Sequence, residues 1–154
     1  MHPEATSVLL ALQLFHVLFL LFHDWIPLGR LNDVAAIRAQ NPGRKVLIGT
    51  AVSSLPFVFG FISSVVYLGR AYPGWLFWWL WISYTWLFVG ELEVWWVPFL
   101  FRPQPARAAR YALMFSTTHA FLPMRNGIRV NTLHVVLHAA TVMTLVVLVV
   151  VTLR

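Results

Sequence analysis

The sequence predicts an all-α integral membrane protein, a four-helix bundle with one short interfacial helix on its cytoplasmic side. Three observations predict it. Hydrophobic residues make up 60% of the 154 and charged residues only 10%, against about 25% charged in a soluble domain. Four apolar stretches are each long enough to cross about 30 Å of hydrocarbon. The cations gather in two of the segments between those stretches. The size suits one transmembrane domain over residues 1–154, with no linker or repeat.

The first span is expected over residues 6–26, ended by Pro27 and Gly29. Its N-terminal flank carries only His2 and Glu4 and lacks the basic start of a signal peptide, so it reads as a retained span. A short loop helix follows, capped by Asn32 and ending near Asn41-Pro42-Gly43. The second span, residues 46–68, carries small residues at Gly49, Ser53, Gly60 and Ser64. Such a face lets helices approach closely and makes self-association into a homo-oligomer plausible. Pro56 is a candidate kink. The third span, residues 75–101, holds Trp75, Trp78, Trp79, Trp81, Trp86, Trp95 and Trp96. Tryptophans at its two ends suit interfacial belts, and those between need packing partners. Pro103 and Pro105 stop it. Residues 106–121 read as the interfacial helix, and residues 130–153 as the fourth span.

Arg30, Arg38, Arg44, Lys45, Arg102, Arg107, Arg110, Arg125 and Arg129 fall in the loops after spans one and three, leaving only Arg70 and Arg154 for the other side. The positive-inside rule puts those loops in the cytoplasm and both termini outside, in the inner membrane if the cell is bacterial. The net charge of +6 is read in the same way, as contact with anionic lipid rather than with nucleic acid. The chain has no cysteine, which excludes disulfides, thiol redox chemistry, iron–sulfur clusters and thiolate zinc sites.

Ionisable groups inside a membrane are costly and need a partner or a purpose. Gln13, His16 and His23 share a face of span one, with Asp24 beside them. Asn131, His134, His138 and Thr141 form a stripe on span four. Glu91 and Glu93 lie near the cytoplasmic end of span three. Helical rise puts His138 about 12 Å into its span, near the depth of Glu91 and His16. Nearly all of these groups belong to the inner half, which predicts a polar cavity open to the cytoplasmic side. Glu91 and Glu93 point about 200° apart in a regular helix. Glu91 is the one expected to face the cavity, unless the helix is distorted near Gly90.

Several chemistries suit this set. His134 and His138, one turn apart, with His23, Glu91 and His119, are candidate ligands for a divalent metal (zinc, iron or manganese). Without a metal, Glu91 and His138 are candidate acid/base groups, with Asp24 orienting a histidine. His16 and His138 on different spans are candidate axial ligands of haem b, and a quinone would also suit the aromatic content. A proton- or metal-ion-conducting oligomer is the transport alternative. Arg125, Asn126, Arg129 and Asn131 are candidates to hold a substrate headgroup. The segments Phe22-His23-Asp24-Trp25-Ile26-Pro27 and Arg125 to His134 have the look of shared motifs. In plan, with four spans and acidic and histidine residues near one face, the chain resembles the sterol-isomerase-like membrane proteins. No residue's role is carried across from that resemblance. The function expected is that of a membrane-embedded enzyme acting on a lipophilic small molecule by metal-assisted or acid–base chemistry.

Overall fold

The structure, a computed structural model, describes residues 3–152. Leu153, the last residue of the expected fourth span, lies outside the described residues, as do His2 and Arg154. The described elements are helical apart from one isolated bridge between Arg125 and Ile128. In chain order they are α1 (Pro3–Phe22), α2 (Val34–Gln40), α3 (Gly43–Val66), α4 (Gly74–Glu91), a π-helical stretch (Leu92–Trp96), α5 (Val97–Leu100), α6 (Pro105–Phe115) and α7 (Thr132–Thr152).

Among the described residues, three helices are long and apolar enough to cross a membrane: Glu4–Phe22, Gly43–Val66 and Thr132–Thr152. The rod formed by α4, the π stretch and α5 is as long, about 40 Å at the rise of a helix. Its tryptophans and tyrosine carry polar atoms that lower its hydropathy. The rod packs between α3 and α7, and so does α1, so the four lie in a ring. Leu9, Leu20, Phe57, Leu76, Leu80, Tyr84 and Leu148 form the core between them. At the end where α1 stops and α7 begins, α2 packs on α6. A second apolar cluster of Ile37, Trp95, Phe99, Met114, Phe115, Ile128 and Val130 fills that end. The nine cations of the two basic segments belong to the same end.

Several local expectations are corrected. Asn32 does not cap α2. Asp33 does, its carboxylate accepting from the Ala36 N–H at 2.9 Å. Asn32 is instead buried in the loop after α1. Its Nδ2 donates to the carbonyls of His23 (2.6 Å) and Ile26 (2.9 Å), and its Oδ1 accepts from the Leu28 N–H. Helix α3 starts at Gly43 and runs on through Pro56. The interfacial helix ends at Phe115 rather than 121. The small-residue face of α3 splits in two. Gly60 meets Leu80 and Trp79 of α4 so closely that a Cβ would lie 3.0 Å from Leu80 Cδ2. Gly49 and Ser53, nearer the basic end, touch no such neighbour and line a cavity instead. Part of the face expected to drive self-association is thus used inside the chain.

The π stretch has a local cause. Pro98 has no N–H to give to the preceding turn. The helix responds with an i→i+5 bond from Val97 N–H to the Leu92 carbonyl. The carbonyls of Glu93 and Val94 are then taken by Arg107 Nη1 of α6, at 2.9 and 2.8 Å. Glu93 itself is exposed. Arg107 thus reaches the backbone of Glu93 and not its carboxylate.

Candidate functional site

A cleft of about 940 Å3 lies between α3 and α4 in the half of the molecule next to the basic loops. The two helices touch at Gly60 and diverge toward that end. Gly49, Val52, Ser53, Pro56 and Phe57 form one wall, and Trp79, Ile82, Ser83, Trp86, Leu87 and Gly90 the other. The floor comes from α1 and the turn after it, the end of α4, the π stretch and α7: Phe19, Leu20, His23, Asp24, Glu91, Trp95, His134, Leu137 and His138. The rims are open. Trp86 is 80% exposed, Val52 68% and Ile82 65%. These side chains lie on the flank of the helices, and the apolar cluster under α2 and α6 packs the loop end. The most exposed rim residues thus lie on the outward flank of α3 and α4, while His23 and Asp24 border the cleft at its loop edge.

Glu91 sits on this floor, 6% exposed. Its Oε1 is 2.8 Å from Thr141 Oγ1 of α7, and its Oε2 is buried without a partner in the chain. One π turn further on, Trp96 donates its indole N–H to His138 Nδ1 at 3.0 Å. In an α-helix a residue five positions on would point about 140° away from Glu91. The wider turn brings Glu91, Trp95 and Trp96 to address α7 together. An indole nitrogen only donates, so His138 Nδ1 must accept, and the neutral ring carries its proton on Nε2. That Nε2–H is buried and also has no partner. His138 is 5% exposed.

His16 Nδ1 donates to the Leu12 carbonyl at 2.7 Å, and its Nε2 lies 3.1 Å from Thr141 Oγ1. Thr141 has one hydroxyl proton and three acceptors in reach: His16 Nε2, Glu91 Oε1 and the Leu137 carbonyl at 3.1 Å. If the proton goes to His16, Glu91 must be the carboxylic acid that donates to Thr141. If it goes to Glu91, His16 must bring a proton on Nε2. In both arrangements the Glu91–Thr141–His16 chain holds one shared proton and no net charge. The two differ only by shifts along the chain.

The remaining expected site residues divide clearly. His134, which also lines the cleft, is held from below. Asn131 Oδ1 accepts from the His134 backbone N–H at 3.0 Å and from its Nδ1 at 2.6 Å, capping α7 and fixing the ring tautomer. The ring lies against Trp95, with centroids 4.4 Å apart. His23 Nδ1 donates to the Phe19 carbonyl, and its Nε2 is 3.2 Å from Asp24 Oδ1 at the loop edge of the cleft. His119 lies outside the cleft, where its backbone and Nδ1 tie the loop after α6 to Arg30 and Thr132. Among the described residues, no three His, Asp or Glu side chains come together to hold a metal ion. Of the five expected ligands, His119 lies outside the cleft and His138 has its Nδ1 lone pair taken by the Trp96 indole N–H, so the five do not form one ligand set. His16, the expected haem partner of His138, has one ring nitrogen engaged to its own helix and the other to α7, and it does not line the cleft.

The four headgroup candidates also lie away from the cleft. Asn126 and Gly127, at φ +52° and +74°, form the tight turn bridging Arg125 to Ile128. A Cβ on Gly127 would lie 2.9 Å from Ala108 Cβ. Asn126 Nδ2 donates to the Pro98 and Phe99 carbonyls, and Arg129 to the Ser116 carbonyl. Sequence reasoning missed Trp96 and did not give Thr141 a role. Gly90 beside Glu91 was the available warning of a distorted helix. No family model, curated protein or solved structure matches the chain.

Proposed function

We propose that the protein is a four-span membrane enzyme that admits a lipophilic substrate sideways from the bilayer and acts on it by general acid–base chemistry. In this reading the Trp-rich rod is the fourth crossing, the basic loops are cytoplasmic and both ends of the chain are outside. One observation carries the reading: a largely apolar cleft ends on Glu91 and His138, each with a buried polar atom that no described residue satisfies. Such atoms are rare and costly, about 1–3 kcal/mol each, and they ask for a missing partner.

The roles follow from the hydrogen bonds. Glu91 Oε2 takes a proton from the substrate. The proton on Oε1 passes to Thr141 Oγ1 and the hydroxyl proton to His16 Nε2, so the Glu91 carboxyl group stays neutral and the positive charge that balances the substrate anion rests on the His16 imidazolium. The charge left on a substrate oxygen is held by the His138 Nε2–H. The reverse shift returns the proton, which suits an isomerisation. Trp96 holds the His138 tautomer, and Asp24 with His23 borders the cytoplasmic edge.

The test needs no prior substrate. Purified protein is incubated with a total lipid extract in deuterated water, and the lipids are compared by mass spectrometry. Wild type should deuterate or convert at least one lipid species, and Glu91→Gln and His138→Phe should each lower that rate at least about a hundredfold, the low end of a general-base contribution. A conversion that survives both substitutions, or no change in any lipid, would sink the reading.

A further inference from the structure

We infer that the cleft selects an uncharged lipid with an oxygen acceptor at its head, a ketone, aldehyde or alcohol, and rejects lipids with charged heads; this rests on the sideways-opening reading above. The floor decides the head. The Trp96 indole fixes His138 Nδ1 as an acceptor, so the unpartnered atom it leaves, Nε2–H, is a donor. Its partner must bring a lone pair. An ammonium head has none and would leave the His138 N–H buried without a partner.

An anionic head is refused for a different reason. Among the described residues, no lysine or arginine lines the cleft. Two arginines of the loop segment are spent elsewhere, Arg107 on the Glu93 and Val94 carbonyls and Arg129 on the Ser116 carbonyl. The acidic side chains that do line it, Glu91 and Asp24, would face a carboxylate or phosphate with like charge or with nothing to balance it. A charge taken into such a site without a counter-charge is far costlier than a neutral carbonyl. A neutral oxygen, by contrast, satisfies the His138 N–H and leaves Glu91 Oε2 free for an adjacent hydroxyl or C–H. The walls, from Val52 and Phe57 to Ile82 and Leu87, are apolar and suit a hydrocarbon tail. The volume, about 940 Å3, lies at the upper end of the range for small-molecule sites.

The experiment uses the full chain in vesicles and three probes with one tail, each bearing a diazirine and a terminal alkyne. The heads are a methyl ketone, a carboxylate and a quaternary ammonium. Labelled peptides are mapped by mass spectrometry. The ketone should label the cleft walls around Val52 and Ile82 about tenfold more than either charged probe, the ratio that 1.4 kcal/mol gives. His138→Phe should bring the ketone down to the level of the others while labelling of the outward-facing Val146 stays constant. Trp96→Phe, which frees the tautomer without touching the cleft donor, is the second variant, and it should lower the preference several-fold. Equal labelling of the walls by a charged probe, or a ketone preference that survives both substitutions, overturns the head selectivity. Labelling of Val146 by all three with none on the walls overturns the sideways entry itself.

Discussion

Thr141 is the residue on which the buried chain of hydrogen bonds turns. Its hydroxyl is the link between Glu91 on one helix and His16 on another. Thr141→Val keeps the shape and removes the proton carrier. Both neighbours are then left buried with an unmet polar atom, and the expected loss is about 1–3 kcal/mol of stability. A thermal or denaturant unfolding midpoint unchanged from wild type would contradict the link. At this scale the sequence was partly legible. Helical spacing singled out Glu91 over Glu93, and Glu91 is indeed the buried one. The same spacing gave no means of foreseeing Trp96 on His138, because a π turn moves the fifth residue to a face the α period assigns elsewhere. Asn126, Arg129 and Asn131 looked like ligand contacts since polar residues near a membrane surface suit headgroups. Their hydrogen bonds go to backbone carbonyls and a helix start. Backbone satisfaction at helix ends is an equally strong demand on such side chains.

Elements were easier to read than their joints. Apolar runs located α1, α3 and α7, since burial or lipid contact on all sides leaves few other patterns. The Trp-rich rod was legible by length, while the departure of α3 from α4 was not. It depends on Gly60 meeting Leu80 at one level and nothing filling the space beside Gly49 at another. Helix α2 shows how a short element is held. The Asp33 carboxylate accepts from the Ala36 N–H and from the Thr117 hydroxyl at 2.7 Å. The Ala36 bond, then the Thr117 bond, hold its pKa below the ordinary carboxylate value. A group whose folded value is depressed adds stability above its unfolded value and loses it as pH falls through the folded one. The cap should therefore be unchanged from neutral pH down to about 5 and weaken below about 4. Hydrogen exchange at the Ala36 and Ile37 amides measures it. Asp33→Ala should make those amides exchange fast at every pH, and a wild-type cap that loosens near neutrality would contradict the assignment.

The whole molecule joins two polarities, basic loops at one end and a cleft that opens on the flank. The absence of cysteine makes both testable with introduced thiols. Ala71→Cys, in the turn before α4, should react with an impermeant maleimide added to intact cells. Ala39→Cys, on α2, should react only after permeabilisation, and the reverse pattern would invert the topology. The sequence led to the expectation of a cavity open to the loops, although the most exposed cleft residues lie on the flank. It had no way to see that α2, α6 and the turn at Asn126-Gly127 pack an apolar cluster under that end. Where the cleft opens decides what reaches Glu91 and His138. The most direct measurement is a spin label at Ser83→Cys, on the cleft wall, in reconstituted vesicles. Its collisions with oxygen, which dissolves in lipid, are compared with those of a water-soluble nickel complex. A cleft open to the bilayer predicts relaxation dominated by oxygen, as at a label on the outward-facing Val146→Cys. Relaxation dominated by nickel would mean that water fills the cleft from the loop end, and would contradict entry from the membrane.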